Sequence, residues 1–241
     1  MSRMDGFARH DALAAIASIA DPQRRALFEF VTRQHEPVGR DETAAALGIP
    51  RGTAAFHLDR LVDAGLLTAE FQRRNGKTGP GAGRPAKLYR VAQGEVAASV
   101  PERHYDVAAE ILSRAVEESD RTGDPIRPTL ERVAADLGRS LGASADSMTE
   151  VLERLGYEPV DDGADGMLLT NCPFHRVAQR HTETICGANV ALLHGAAEGS
   201  GEHERTVVLE PRDGYCCVRL IAGTSDSTVG PAGLEPTTST V

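Results

Sequence analysis

The chain has 241 residues, of which 41% are hydrophobic and 25% charged, with a formal net charge of −9. Such a composition excludes a fibrous or low-complexity protein, and no run approaches the roughly 18 consecutive apolar residues of a bilayer span. Tryptophan is absent and phenylalanine numbers six, so the core is expected to rest on Leu, Val, Ile and Ala. The opening stretch MSRMDGFARHDALAAIA carries Asp5 and Asp11 and no continuous apolar segment, which argues against a secretory signal and for a cytoplasmic protein without membrane attachment.

Residues 11–20 form a short apolar helix candidate. Asp21-Pro22 then reads as a helix start, with Asp as N-cap and Pro at the first helical position. Leu27, Phe30 and Val31 recur at helical spacing and mark the buried face of that second helix. Glu36-Pro37 breaks it. Asp41 is placed to cap a third helix that ends at Gly48. Residues 51–64 form a fourth, with Phe56, Leu58, Leu61 and Val62 as its expected apolar contacts and Gly65 at its end. A strand over 66–74, a glycine-rich turn over 75–85 and a returning strand over 86–92 complete a hairpin.

Helices followed by such a hairpin are the order of a winged helix-turn-helix, whose recognition helix enters the major groove. Charge distribution agrees with this. Residues 1–95 hold 14 Lys/Arg against 11 Asp/Glu, residues 96–241 hold 12 against 24, and residues 51–90 alone hold 8 against 3. A local basic field suffices for phosphate binding on an acidic protein. The base-reading candidates are Arg51, Thr53, Ala54, His57 and Arg60. Arg73, Arg74, Lys77, Arg84 and Lys87 of the wing suit phosphate or minor-groove contacts. A winged-helix module that binds protein instead of DNA is the competing reading of these residues.

Further along, residues 102–119 are helical, 119–128 a polar connector, and 128–141 and 146–155 helical again. Short strands are expected at 157–160 and 166–171, helices at 174–182 and 185–198, and strands at 205–211 and 215–222. The fold class is therefore α+β. Residues 1–95 form the winged helix-turn-helix DNA-binding domain. Residues 96–223 form a helical dimerisation region joined to a C-terminal α/β cysteine-containing sensor domain. Residues 224–241, rich in Thr, Ser, Gly and Pro, read as a disordered tail.

The four cysteines are Cys172, Cys186, Cys216 and Cys217. Cys186 is expected at the start of a helix, where free amides stabilise a thiolate. Cys216 and Cys217, as neighbours in a strand, are expected to point to opposite faces, so that one of them meets Cys172 and Cys186. The spacing is unlike a zinc ribbon or a ferredoxin run. Buried structural thiols, zinc and an iron–sulfur cluster all remain open on spacing, with His175, His181 and His194 as further ligand candidates. No GxSxG, HExxH, Walker-A or dinucleotide motif is present, and no enzymatic activity is expected.

The segment from Asp21 through the wing resembles the ArsR-like winged-helix regulators. Asn171-Cys172-Pro173-Phe174, Cys186-Gly187 and Gly214-Tyr215-Cys216-Cys217-Val218 resemble the iron–sulfur subgroup of that family, the SufR repressors of suf cluster-assembly genes. The resemblance spans roughly residues 11–222. It implies a cluster-binding C-terminal domain, a homodimer, a palindromic double-stranded DNA operator, and a cluster, usually 4Fe–4S. The cofactor-binding cysteines would be Cys172, Cys186, Cys216 and Cys217, with Cys172, Cys186 and Cys216 as metal ligands. Some members carry a further cysteine between the second and last positions; none stands between Cys186 and Cys216 here, which leaves the fourth ligand unassigned and 2Fe–2S open. A regulator that senses zinc or a small organic effector through the C-terminal domain is the alternative.

Overall fold

The structure, a computed structural model, describes residues 9–72, 85–163 and 166–222. The chain divides into two compact units between Ser99 and Val100, each with its own apolar core.

The first unit contains helices α1 (Arg9–Ser18), α2 (Pro22–Thr32), α3 (Arg40–Leu47) and α4 (Arg51–Asp63), with strands β1 (Val38–Gly39), β2 (Leu67–Gln72) and β3 (Ala86–Val91). Asp21 caps α2 as its sequence predicts: its carboxylate accepts the Arg24 N–H at 2.9 Å, with Pro22 in the first turn. Asp41, expected to cap α3, lies within its first turn; Gly39 is the N-cap and supplies no side chain. Gly48 ends α3 with φ +64°, a left-handed conformation that costs glycine little. The strands form an antiparallel sheet in the order β1-β3-β2, with Leu67 opposite Val91 at one end and Gln72 opposite Ala86 at the other. The two-residue β1 is too short to leave a pattern in the sequence.

Leu27, Val31, Leu58, Leu61, Leu67 and Tyr89 are the largest fully buried side chains of this core. Helical periodicity decides which residues of α4 join them. Ala54, His57, Leu58 and Leu61 fall on the inward face, whereas Gly52, Phe56 and Arg60 fall outward. Phe56, expected as a core contact, is 54% exposed. The expectation followed hydrophobic character; the helix's 100° step overrides it.

The second unit contains α5 (Tyr105–Thr122), α6 (Ile126–Gly142), α7 (Met148–Arg154), β4 (Pro159–Asp161), β5 (Met167–Leu169), α8 (His175–Ala178), α9 (Thr182–Gly199), β6 (Arg205–Leu209) and β7 (Val218–Ala222). The strands make an antiparallel sheet in the order β4-β5-β7-β6. The polar connector expected over 119–128 shrinks to residues 123–125. Its Ser, Asp and Arg residues are a solvated helix end: Ser119 donates to the Asp124 carbonyl at 2.7 Å, and Arg132 of α6 donates to both oxygens of Glu118 at 3.0 and 3.1 Å.

Helices α6 and α9 approach closely enough that glycine is required at the crossing. A Cβ on Gly138 would strike the Leu192 carbonyl, on Gly142 that of Ala196, on Gly195 that of Ala135, and on Gly199 that of Arg139. The obstacle is backbone in each case, which cannot rotate away. Buried Leu130, Val133, Leu192, Leu193, Val218 and Leu220 build the core around this crossing.

Candidate functional site

In the first unit the outward face of α4 is the candidate nucleic-acid surface. Arg51, Gly52, Phe56 and Arg60 are exposed there and Thr53 is half-buried. The guanidinium of Arg60 stacks over the Phe56 ring, 5.5 Å from its centroid. Arg51 pairs with Asp41 of α3 at 2.5 Å, both ends remaining open to solvent. Such exposed pairs are weak and exchangeable with phosphate.

His57, expected to read bases, is placed elsewhere. It is 8% exposed, faces the core, and its Nε2 lies 3.1 Å from the Gln23 side-chain oxygen. Ala54 is fully buried. His57 therefore joins α4 to α2 and Ala54 packs into the core; both sit at the inward phase of the helix, which residue type alone did not reveal.

Lys87 on β3 is also engaged. Its ammonium meets Asp59 of α4 at 2.6 Å, and the buried Tyr89 hydroxyl donates to the same carboxylate oxygen at 2.8 Å. Burial alone would raise the Asp59 pKa, but the hydrogen bonds from Lys87 and Tyr89 outweigh it and hold the carboxyl below its ordinary range. Burial, then the Asp59 contact, push the Tyr89 hydroxyl in the opposite direction. This three-member network fixes β3 against α4. Arg73, Arg74, Lys77 and Arg84, with most of the glycine-rich turn at 75–85, lie outside the described residues.

In the second unit the four cysteines come together. Cys172 lies in the turn between β5 and α8, Cys186 in the second turn of α9, and Cys216 and Cys217 in the bend that precedes β7. Because the strand begins only at Val218, the alternation expected for Cys216 and Cys217 does not apply. The Cys216 thiol hydrogen-bonds to Cys172, and Cys217 interacts with Cys186. Cys186 and Cys216 are buried; Cys172 and Cys217 are partly so. His175, His181 and His194 are all exposed, and His194 instead faces Glu198 at 3.4 Å.

The thiols differ in acidity for readable reasons. The hydrogen bond from Cys216 brings Cys172 down to about 7 against its burial, helped by the Phe174 amide and the Arg103 charge. Cys186 goes the other way: burial and its Cys217 neighbour push it up to about 12. Since α9 starts four residues before Cys186, the free amides expected to stabilise its thiolate lie a turn away, at 182–185. Cys216 is also raised, as the partner that keeps the proton, and by burial.

Residues outside the cysteine motif hold this arrangement. Asn189, three residues beyond Cys186 and 2% exposed, donates to the Cys216 sulfur at 3.7 Å and accepts a hydrogen bond from the buried Tyr157 hydroxyl. A lone Asn in the apolar run of α9, at i+3 from a cysteine, was the available signal for it. Asn171 donates to the carbonyls of Gly156 at 2.6 Å and Glu102 at 3.0 Å, and accepts from Arg103. That clamp sets the Cys172 turn and brings the Arg103 charge to it. Cys216 is tied to the sheet by its amide, which donates to the Leu169 carbonyl at 2.7 Å.

The donor chemistry fits a thiolate-held group: four sulfurs from three segments, an amide-stabilised thiolate and a nearby cation. All four cysteines are free thiols. Among the described residues no group of three or more His, Cys, Asp or Glu side chains is set to hold a metal ion.

Residues 19–70, from the end of α1 into β2, match a helix-turn-helix domain family. The chain matches no curated protein and no solved structure. The match places a helix-turn-helix domain in the first unit, in agreement with the helices and hairpin strands described there. No helix among the described residues is long and apolar enough to cross a membrane.

Proposed function

We propose that the protein is a DNA-binding transcription regulator whose second unit holds an iron–sulfur cluster through its cysteines, acting as a repressor of cluster-assembly (suf) genes. The convergence of four thiols from three separate segments supports this reading most directly. Cys172, Cys186 and Cys216 are the proposed ligands. Cys217 stands beside them as the protein's own candidate for the fourth position.

A bound cluster would supply an occupancy that responds to iron and oxidants. The protein's part is to hold thiolates and exclude water. Cys172, whose pKa is lowered to about 7, is the thiol that gives up its proton most readily and is the first candidate ligand. Cys186 and Cys216 must lose protons on loading, so uptake releases protons and strengthens as pH rises. Asn189 offers a hydrogen bond to the Cys216 sulfur, and Arg103 offsets charge at Cys172. A group held by these cysteines would tie the 172 turn, α9 and the 214–217 bend together. Operator binding by a homodimer on a palindromic duplex is the proposed output. Its coupling to the cysteine site is reciprocal if the two equilibria are linked.

Iron and acid-labile sulfide, measured on protein purified without oxygen together with a Mössbauer spectrum, test the reading. About four of each per chain, with cubane parameters, are expected from the ligand set. Stoichiometric zinc without sulfide would replace the cluster with a zinc site, and neither metal nor sulfide after reconstitution would reject both.

A further inference from the structure

We infer that Phe56 reads the 5-methyl group of thymine in the major groove, with Arg60 as its positioning partner; this rests on the DNA-binding reading of the first unit.

Phe56 stands on the outward face of α4, 54% exposed, although it is among the most hydrophobic side chains in the unit. Its neighbours there follow from helix geometry: Gly52 at i−4, Thr53 at i−3 and Arg60 at i+4. The Arg60 guanidinium lies over one side of the ring at 5.5 Å, and the His57 ring meets it edge-on at 5.3 Å. Those contacts orient the ring and leave more than half of the residue open.

Gly52 is the second, independent observation. It lies within α4, where glycine is less favourable than alanine by about 1 kcal/mol. A Cβ placed there meets nothing within 4 Å. No internal contact therefore demands glycine at this position. The position is thus open to a close approach by an external surface, one helical turn from Phe56.

Duplex DNA offers one apolar group on its major-groove base edges, the thymine 5-methyl; every other distinguishing feature there is a hydrogen-bond donor or acceptor. An exposed aromatic ring beside a guanidinium matches that pairing of chemistries. The ring meets the methyl, and the cation, already held on the ring, lies beside the phosphates or a guanine edge. A protein partner for the Phe56 face would not discriminate thymine from uracil.

The experiment selects duplexes from a random-sequence pool with the full-length protein. Each dT of the enriched duplex is then replaced in turn by dU, which removes the methyl and leaves base pairing unchanged. Wild-type protein should bind about fourfold more weakly at one or two positions, the worth of one buried methyl. Phe56→Ala should bind the unmodified duplex more weakly and lose that dT/dU difference. Phe56→Leu should keep part of it, while Gly52→Ala should weaken all duplexes alike. Equal binding of dT and dU duplexes by wild type, or an unchanged dT/dU ratio in Phe56→Ala, would overturn the assignment while leaving DNA binding intact. Failure of wild type to enrich any duplex would overturn both.

Discussion

Asp59 holds Lys87 and Tyr89 at once, so its removal should act on two properties in opposite directions. Asp59→Ala leaves the Tyr89 hydroxyl, on a residue 2% exposed, without its acceptor, and should lower stability by about 1–3 kcal/mol in urea titrations. It also frees the Lys87 ammonium, so binding to a non-specific duplex at low salt should tighten. Weaker non-specific binding with unchanged salt slope would show that Lys87 does not face DNA. Acidity at Cys172 gives a second test. Its pKa is lowered from 9.0 to about 7 in the folded chain, so the folded, reduced, metal-free protein should react with iodoacetamide at Cys172 first, with a half-point near pH 7. The sign for stability follows from the same lowering: the contribution is complete above pH 9 and is lost as pH falls through 7. Cys186, raised to about 12, should remain unmodified across that range. Labelling of Cys186 before Cys172, mapped by peptide mass, would contradict the arrangement of the four thiols.

Among the elements, the α6–α9 crossing has the sharpest sequence requirement. Glycine-to-alanine changes in a helix ordinarily stabilise it by up to about 1 kcal/mol. At Gly138 and Gly195 the sign should reverse, because the new Cβ meets the carbonyls of Leu192 and Ala135. Overpacking against backbone should cost about 3 kcal/mol, read as a lower urea midpoint. Gly201, with φ +81° and nothing within 4 Å of an added Cβ, belongs to a different case, where strain and not space opposes substitution. Much of this level was legible in the sequence. Asp21-Pro22 announced α2, Gly48 and Gly65 closed their helices, and the hairpin strands followed from alternation. What was not legible depends on phase and on partners. His57 and Phe56 exchange inside for outside by one helical step. Asp41 became an ion-pair partner of Arg51 because Gly39 capped α3. The Cys216-Cys217 pair left the strand because β7 starts three residues later than its apolar run suggested, and only then can both thiols meet the others. The clamp by Asn171 joins residues 102, 103, 156 and 171, a separation that no local pattern reports.

At the scale of the whole molecule, the chain has two compact units with separate cores. Their chemistry differs: a basic-rich segment with a helix-turn-helix match in the first, a buried thiol cluster in the second. Limited proteolysis should cut first near residues 92–101, where regular secondary structure is absent, and should yield a first-unit fragment that keeps its fold; rapid digestion of that fragment would argue against a self-sufficient first core. On the proposed function, the cysteine site governs DNA binding. This control is tested most directly by the affinity of one selected duplex for the cluster-loaded protein and for the same sample after chelation, at a single salt concentration. A difference of at least about fivefold, the lower end of ordinary allosteric coupling, is expected. Equal affinities, with loading and removal verified by iron and sulfide content, would contradict it.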